Sequence, residues 1–315
     1  MDGGAIRAII QGIFLGEIEA RTKKPISDLF DLIAGSSSGG NLAMGFVTPD
    51  KNGKPKYSAI DGVKSYQLNT PRIFAKSFFE KINPFFSLFE EKYSIDIAAE
   101  VYRKSYGSSK LSEAITPVII TAYEIEKRMA FFFRSQDAKK DPKDDFYMRD
   151  VVLSTTAAPT FFEPAKIQNI SKTDTFYFID GAIFANNPAL IALVEARLMF
   201  PKETDFLVVS LGSGALTNPL PYEEVKNWGV AQWARPILDV VFDGVADTVD
   251  DQLTNLLKTG HDGLKRYYRF QTVVTKETLV FDKATPENFR ALEKIGQKLI
   301  EDNNEKLITL CQQLI

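Results

Sequence analysis

The chain has 315 residues, of which 44% are hydrophobic and 25% are charged, and its formal net charge is −3. A chain of this length and composition can bury one sizeable core, so we expect a globular protein rather than a disordered or fibrous one. The slightly acidic balance, without a long basic run, argues against a nucleic-acid-binding protein, which needs a concentrated positive patch.

The chain contains one cysteine, Cys311, so a disulfide within the chain is excluded, and no Cys/His cluster offers a zinc site. We expect Cys311 to be a buried helix residue. No apolar run reaches the roughly 18 residues that a transmembrane helix needs. Acidic and glycine residues follow Met1 at once, which does not fit a signal peptide. The sequence therefore favours a cytoplasmic protein.

Helical and strand patterns alternate along the chain, which predicts a layered α/β fold. The elements predicted for the first half are helices at 6–18 and 41–46, strands at 30–34, 118–122 and 130–133, and a surface loop at 49–57. Residues 153–162 begin with a helical pattern that Pro159 interrupts.

In the second half, Asn187 is a candidate N-cap with Pro188 at the first helical position. The predicted elements are strands at 176–179, 206–211 and 267–274, and helices at 188–200 and 285–314. Because no repeat and no linker is visible, we expect one domain over 1–315. Its motif-bearing core spans about 1–214, and residues 215–315 complete or cap that core.

The strongest motif is Gly-Ser-Ser-Ser-Gly at 35–39, which matches the G-x-S-x-G pattern of a nucleophile elbow. In such an elbow a serine lies on a strained turn between a strand and a helix. Gly35 and Gly39 supply the small neighbours that this close approach needs. The predicted flanking elements favour Ser37 as a nucleophile, and the alternative is a Gly/Ser turn without chemistry.

Residues 2–4 and Asp180 are further candidates for catalytic groups. Residues 2–4 read Asp-Gly-Gly before a helix, so their N–H groups would form either an oxyanion hole or an ordinary capping turn. Asp180 ends a predicted strand and would point from the sheet edge toward a cleft. Taken alone, Asp180 is better explained as a solvated turn aspartate.

The only histidine, His261, lies in a polar Thr-Gly-His-Asp-Gly loop. A Ser-His-Asp triad would have to use it, and the order Ser37, Asp180, His261 fits that of α/β-hydrolases. That fold places several strands before its elbow, however, whereas only about 35 residues precede Ser37 here. We therefore favour a surface or capping role for His261.

Taken together, these segments resemble the patatin-like phospholipase family. The resembling segments are 2–7 (Asp-Gly-Gly loop), 33–40 (elbow), 157–164 (Ala-Ala-Pro-x-x-Phe-x-Pro), 180–188 (aspartate segment) and 210–214 (strand and glycine turn). They occur in the order found in the family. Jointly they are far more specific than G-x-S-x-G alone.

The resemblance implies a three-layer α/β/α fold with a central, mostly parallel sheet. It also implies a lipid acyl hydrolase of the phospholipase A or lysophospholipase type, acting on phospholipids or other acyl lipids without a metal or organic cofactor. Its catalytic dyad would be Ser37, the nucleophile, and Asp180, the base, with no histidine. The N–H groups of Gly3, Gly4 and Ala5 would hold the oxyanion.

An ordinary aspartate, with a pKa of about 3.9, is a weak base at neutral pH, so burial would have to raise the pKa of Asp180. Two features depart from the family. Ala5 replaces a third glycine, which costs roughly 1–2 kcal/mol if φ is positive there. Met1 directly precedes Asp2, where the family has an apolar strand, so we expect a loosely held loop. Arg7 would position this loop or form a surface ion pair.

The segment from Phe74 to Phe89 carries six phenylalanines interleaved with charged residues. It would either cover an acyl-chain site and touch a lipid surface, as a peripheral membrane contact, or pack as a helical hairpin.

Two other functions remain alternatives: a triad carboxylesterase that uses His261, and a non-catalytic lipid-binding relative. A P-loop nucleotide site is disfavoured, because 35–40 lacks the following Lys-Ser/Thr.

Overall fold

The computed structural model describes residues 1–75, 93–216, 219–233, 236–274 and 282–315. The chain opens with a 3-10 turn at Ala5–Arg7 and the helix α1 at Ala8–Thr22. Apart from Ile13, the apolar residues that predict this helix are buried. Helix α1 ends where Lys23 adopts a left-handed conformation with φ 59°. The predicted helix is confirmed, and its first turn is tighter than an α-helix.

The central sheet has five described strands, with β2 at its centre. The strands are β1 Ile33–Ser36, β2 Val118–Glu124, β3 Met129–Arg134, β4 Ala165–Gln168 and β5 Thr175–Asp180. Strand β3 pairs along one edge of β2, whereas β1 and β5 share the other edge, and β4 pairs with β5. Almost every residue of β2 is buried, as its apolar sequence predicts.

Two smaller strand pairs extend the structure. They are β6 Val208–Leu211 with β8 Tyr267–Phe270, and β7 Ala215–Leu216 with β9 Val273–Val274. Residues 1–2 lie between β1 and β6 and bond to both. Met1 N donates to Ala34 O at 2.9 Å, and Asp2 N donates to Leu211 O at 3.0 Å. The expected loose loop is therefore wrong, because these bonds and the burial of Asp2 hold its start.

The predicted α/β class is confirmed. The expected parallel direction applies to the pairs β1–β2, β6–β8 and β7–β9, whereas β2–β3, β2–β5 and β4–β5 are antiparallel. Short connections explain two of the antiparallel pairs. Residues 125–128 join β2 to β3 and residues 169–174 join β4 to β5, and a parallel crossover needs about a dozen residues or more.

Helices pack around these strands. Their bounds are α2 Ile26–Leu29, α3 Ser37–Val47, α4 Ala59–Ile73, α5 Ile95–Tyr106, α6 Ser135–Ala138, α7 Met148–Thr155, α8 Ala182–Ala185, α9 Ala189–Met199, α10 Tyr222–Val225, α11 Val230–Trp233, α12 Pro236–Leu256, α13 Pro286–Asp302 and α14 Asn304–Leu314. Helix α3 packs on β1 and β2, α1 packs on α4 and α13, and α12 packs on α8. Within the described ranges, no helix combines the length and apolar character needed to cross a membrane.

Two predicted elements are split by a polar residue. The predicted helix 285–314 is broken between α13 and α14 at Asn303, whose side chain donates to Leu299 O at 2.9 Å. The predicted strand 267–274 is interrupted at Gln271, whose side chain accepts from Gly214 N at 2.8 Å. Cys311 is buried in α14, as predicted.

The phenylalanine-rich segment lies mostly outside the described residues, since the structure describes none of 76–92. Phe74, at its start, is described and contacts Tyr93 and Phe162 with ring-centroid separations of 5.2 and 6.1 Å. The predicted membrane contact of this segment stays a prediction.

Helix α3 begins so close to residues 1–2 that Gly39 has no room for a side chain. A Cβ there would lie 2.4 Å from Met1 O and 2.5 Å from Asp2 O, both backbone atoms. We expect Gly39→Ala to lower the free energy of unfolding by about 1–3 kcal/mol or more. Urea denaturation followed by circular dichroism measures this change.

Gly45→Ala is the matched control in the same helix, because the nearest atom to its Cβ would be Tyr106 Oη at 4.0 Å. Alanine there should raise stability by about 0.5–1 kcal/mol through helix propensity. Equal stability of the two variants would contradict the close packing of α3 on residues 1–2.

Candidate active site

Strands β1 and β5 approach each other end to end along one edge of β2. Ser37 directly follows β1, and Asp180 is the last residue of β5. Along the edge opposite β3, β1 runs parallel to β2 and ends at Ser36, which pairs with Thr121. Strand β5 runs the other way and ends at Asp180, which pairs with the next residue, Ala122. Because neighbouring residues of β2 receive the two strand ends, the chain leaves both strands at one place.

Ser37 lies in the turn between β1 and α3 with φ 53°. A left-handed conformation costs a non-glycine residue roughly 1–2 kcal/mol, so the surroundings must hold it. Ser37 N donates to Thr155 Oγ1 at 2.9 Å, and that hydroxyl donates to Thr121 O at 2.7 Å. A Cβ on Gly35 would lie 2.4 Å from Gly39 O. The two glycines of the motif therefore allow the turn to close.

Ser37 and Asp180 are in direct contact. Ser37 Oγ donates to Asp180 Oδ2 at 2.5 Å, and Ala182 N donates to Asp180 Oδ1 at 2.8 Å. Asp180 is only 3% exposed. Burial raises the pKa of Asp180 to about 7, and the hydrogen bonds from Ser37 and Ala182 oppose this rise. The carboxylate can thus take and release a proton near neutral pH.

The N-terminal loop covers this pair, but two of its three predicted oxyanion donors are bonded internally. Gly3 N donates to Asn186 O at 3.1 Å, and Gly4 N donates to Ser38 Oγ at 3.0 Å. Ala5 has φ 49°, so the strain expected for alanine at this position is present. Within the described residues no acceptor is bonded to Ala5 N–H.

A buried ion pair anchors the loop. Arg269, on β8, donates to both oxygens of Asp2 at 3.0 and 2.6 Å and to Ser210 Oγ at 2.8 Å. Gln11 donates to Asp2 O at 2.9 Å, and Ser213 Oγ donates to Gly3 O at 2.6 Å. Side chains from α1, from β8 and from the turn after β6 therefore fix residues 2–3.

Arg7 is buried below the loop rather than paired at the surface. It donates through Nε to Gly4 O at 3.4 Å and through Nη1 to Gly214 O at 3.0 Å. Burial lowers the pKa of Arg7 to about 10, and the nearby carboxylates of Asp243 and Asp239 oppose this lowering. Arg7 thus joins the loop to the turn after β6, as its positioning role predicted.

Ser37 and Asp180 open into a cavity of about 1000 Å³. Apolar side chains contributed by α3, α4, α5 and the segments near them line part of it: Leu42, Phe46, Ile73, Phe74, Val101 and Phe162. Another part of the lining comes from α12, with Leu238 and Phe242 beside Asp239 and Asp243. The cavity has room for a long apolar group and also contains charge.

His261 does not join this site. It is exposed, it lies near Asp205, and it is not among the described residues that line the cavity. All the other predicted site residues come together: Ser37, Asp180, Gly3, Gly4, Ala5, Gly35 and Gly39.

Sequence reasoning missed Thr155, Arg269, Gln11 and Ser213. A possible signal for Arg269 was its charge within a predicted strand, where an unpaired arginine would be unfavourable.

Comparison with known proteins identifies relatives of the whole chain. The profile of a family described as "Patatin-like phospholipase" matches residues 1–193. The chain is 30% identical to "Patatin-like protein 4" of Arabidopsis thaliana over 332 residues, covering 96% of this chain and 82% of that protein. It is 31% identical to "Patatin-like protein 2" of the same plant over 338 residues, with coverages of 96% and 82%.

Another relative is described differently. The chain is 28% identical over 335 residues to "Probable inactive patatin-3-Kuras 1" of Solanum tuberosum, covering 97% of this chain and 87% of that protein. A shared fold does not by itself carry an activity. Any activity of this chain therefore depends on the arrangement of its own Ser37 and Asp180.

The raised pKa of Asp180 predicts a pH-dependent stability. The native carboxyl binds its proton up to about pH 7, whereas the unfolded one loses it near 3.8, so the wild type loses stability as the pH rises between these values. Asp180→Asn keeps the shape without the charge. We expect its free energy of unfolding to exceed that of the wild type by roughly 2–4 kcal/mol at pH 8 and by much less at pH 4.5.

Urea denaturation at the two pH values measures the difference. Asp31→Asn is the control, because Asp31 is exposed and its charge is hydrated in both states. A constant difference between wild type and Asp180→Asn from pH 4.5 to 8 would contradict the burial of a titrating carboxyl.

Proposed function

Because the chain belongs to the patatin-like phospholipase family, we propose that it hydrolyses acyl esters of lipids, as a phospholipase A or lysophospholipase, with Ser37 as nucleophile and Asp180 as base. At the family level, a lipid acyl hydrolase is supported by the profile and by the relatives. The main support for Ser37 as nucleophile and Asp180 as base is the 2.5 Å hydrogen bond from Ser37 Oγ to Asp180 Oδ2, which lies beside a large, partly apolar cavity.

The first half-reaction forms an acyl-enzyme. Ser37 Oγ attacks the ester carbonyl carbon while its proton passes to Asp180 Oδ2, which gives a tetrahedral oxyanion. Collapse of this intermediate breaks the bond to the leaving alcohol, whose oxygen takes the proton from Asp180. The ester has then become a Ser37 acyl ester plus a free alcohol.

The second half-reaction regenerates the enzyme. Asp180 takes a proton from water as the water oxygen attacks the acyl carbon, and the proton returns to Ser37 Oγ when the fatty acid leaves. A base whose pKa lies near the working pH is well matched to this double role. The direct contact explains how a carboxylate would act without an imidazole between the two groups.

The predicted oxyanion site needs donors that face the developing charge. Ala5 N–H has no acceptor among the residues that the structure describes, whereas the N–H groups of Gly3 and Gly4 hold the loop in the described conformation. The N-terminus of α3, where Ser37 lies, adds a favourable dipole. The proposal therefore assigns Ala5 N–H to the oxyanion and a supporting role to the two glycines.

The cavity favours a long acyl chain over a small ester. Its volume of about 1000 Å³ lies at the upper end of the range for small-molecule pockets. Leu42 and Phe46 of α3 and Val101 of α5 would contact the chain, since they line the cavity into which Ser37 opens. Contact of Phe74 to Phe89 with a lipid surface is a separate part of the proposal and rests on the sequence alone.

Two variants distinguish the dyad from its alternatives. We expect Ser37→Ala to abolish both the hydrolysis of p-nitrophenyl butyrate and covalent labelling by a fluorophosphonate, because it removes the attacking oxygen. His261→Gln should keep kcat within about threefold of the wild type, since His261 lies outside the cavity.

The alternatives predict other results. A triad enzyme would lose several orders of magnitude in kcat with His261→Gln. A non-catalytic lipid-binding protein would leave the wild type unlabelled. Circular dichroism of each variant confirms that a loss of activity is not a loss of fold.

The pKa of Asp180 sets the expected pH profile. The base must be deprotonated, so kcat/KM for the free enzyme should rise about tenfold per pH unit at acidic pH, with a midpoint near 7, and then level off. Initial rates with a soluble, uncharged ester between pH 5 and 9 test this. A profile that is flat from pH 5 to 8, or that falls, would argue against Asp180 as the base.

A further inference from the structure

The backbone donors around Ser37 are fewer than the motif suggests. Three bordering N–H groups, those of Ser37, Gly3 and Gly4, are engaged within the protein, and their acceptors are Thr155 Oγ1, Asn186 O and Ser38 Oγ. A side-chain donor beside these backbone groups would stabilise an oxyanion formed at Ser37 further.

Ser38 supplies a hydroxyl in the right surroundings. Its side chain is buried, it lines the same cavity as Ser37, and its backbone carbonyl is fixed by a 2.7 Å hydrogen bond from Tyr66 Oη. Ser38 Oγ accepts the Gly4 N–H at 3.0 Å. A hydroxyl has one hydrogen to donate as well, and within the described residues no acceptor takes it.

We propose that the Ser38 hydroxyl donates a hydrogen bond to the oxyanion formed at Ser37, with the Gly4 N–H bonded behind it. This inference rests on the proposed function. No proton is transferred at Ser38: the hydroxyl keeps its hydrogen, and the hydrogen bond strengthens as negative charge develops. Ser38 thus acts as a catalytic residue whose hydroxyl accepts a hydrogen bond from the Gly4 N–H and donates one to the oxyanion.

Two physical arguments support this role of Ser38. A hydroxyl that accepts an N–H bond becomes a better donor, because chains of hydrogen bonds polarise one another. The Gly4 N–H is also already directed at Ser38 Oγ, at 3.0 Å, so in this conformation it reaches the oxyanion only through that hydroxyl. Without the hydroxyl, the freed Gly4 N–H cannot simply replace it.

Kinetics of Ser38→Ala test the proposal. We expect kcat for p-nitrophenyl butyrate to fall by about 10²-fold, the usual effect of losing one oxyanion donor, while KM changes less than threefold. Affinity for an alkyl trifluoromethyl ketone, whose adduct with Ser37 carries an oxyanion, should fall in parallel with kcat. Ser38→Thr restores a hydroxyl and should recover most of the activity.

Two further variants separate this role from a structural one. Ser154→Ala removes a buried hydroxyl that bonds to Asp150 O within α7, and its kcat should stay near that of the wild type. Ser38→Cys keeps an acceptor for Gly4 N–H but is a weak donor, so it should lose kcat as Ser38→Ala does even if the alanine variant folds poorly.

The outcomes distinguish the two proposals. If the wild type turns over and Ser38→Ala or Ser38→Cys keeps kcat within threefold, or if only KM changes, the Ser38 inference is overturned and the Ser37 and Asp180 assignment stands. If the wild type neither hydrolyses the ester nor reacts with a fluorophosphonate, both proposals fail.

Discussion

The end-to-end arrangement of β1 and β5 on one edge of β2 places Ser37 beside Asp180. Ser36 pairs with Thr121 and Asp180 pairs with Ala122, so two strands of opposite direction finish on consecutive residues. Ladder hydrogen bonds set this register, and a slip of one residue would turn the side chains to the other face. The short contact between Ser37 and Asp180 is thus a property of the sheet rather than of flexible loops.

Burial gives this contact its chemical character. Asp180 is accompanied by a serine hydroxyl and a backbone N–H rather than by a cation, so its pKa rises to about 7 instead of falling. The other buried aspartate has a different partner, because Arg269 donates to both carboxylate oxygens of Asp2. Asp2 is therefore an anchor of the loop, whereas Asp180 can take up a proton near neutral pH.

Local signals explain what the sequence predicted well. Gly35 and Asp180 lie at strand ends, and Gly39 lies in the first turn of the helix that follows β1, so these patterns are visible within ten residues. The anchors were not predictable in this way, because Arg269 and Asp2 are 267 residues apart and only the fold joins them. The hydrogen bond from Gly4 N to Ser38 Oγ was missed for a similar reason. The motif indicates which N–H groups are donors, but it does not indicate which acceptors they bond to in the folded loop.

The ion pair between Asp2 and Arg269 connects the first residues of the chain to a segment that carries none of the motifs. The family profile ends at residue 193, and β8 lies well beyond it. A shortened protein that kept every motif but lacked β8 would leave the Asp2 carboxylate buried without its counter-charge, which typically costs about 3–5 kcal/mol. A shortened or circularly permuted form of this protein must therefore keep Arg269, which lies outside the residues that the family profile matches.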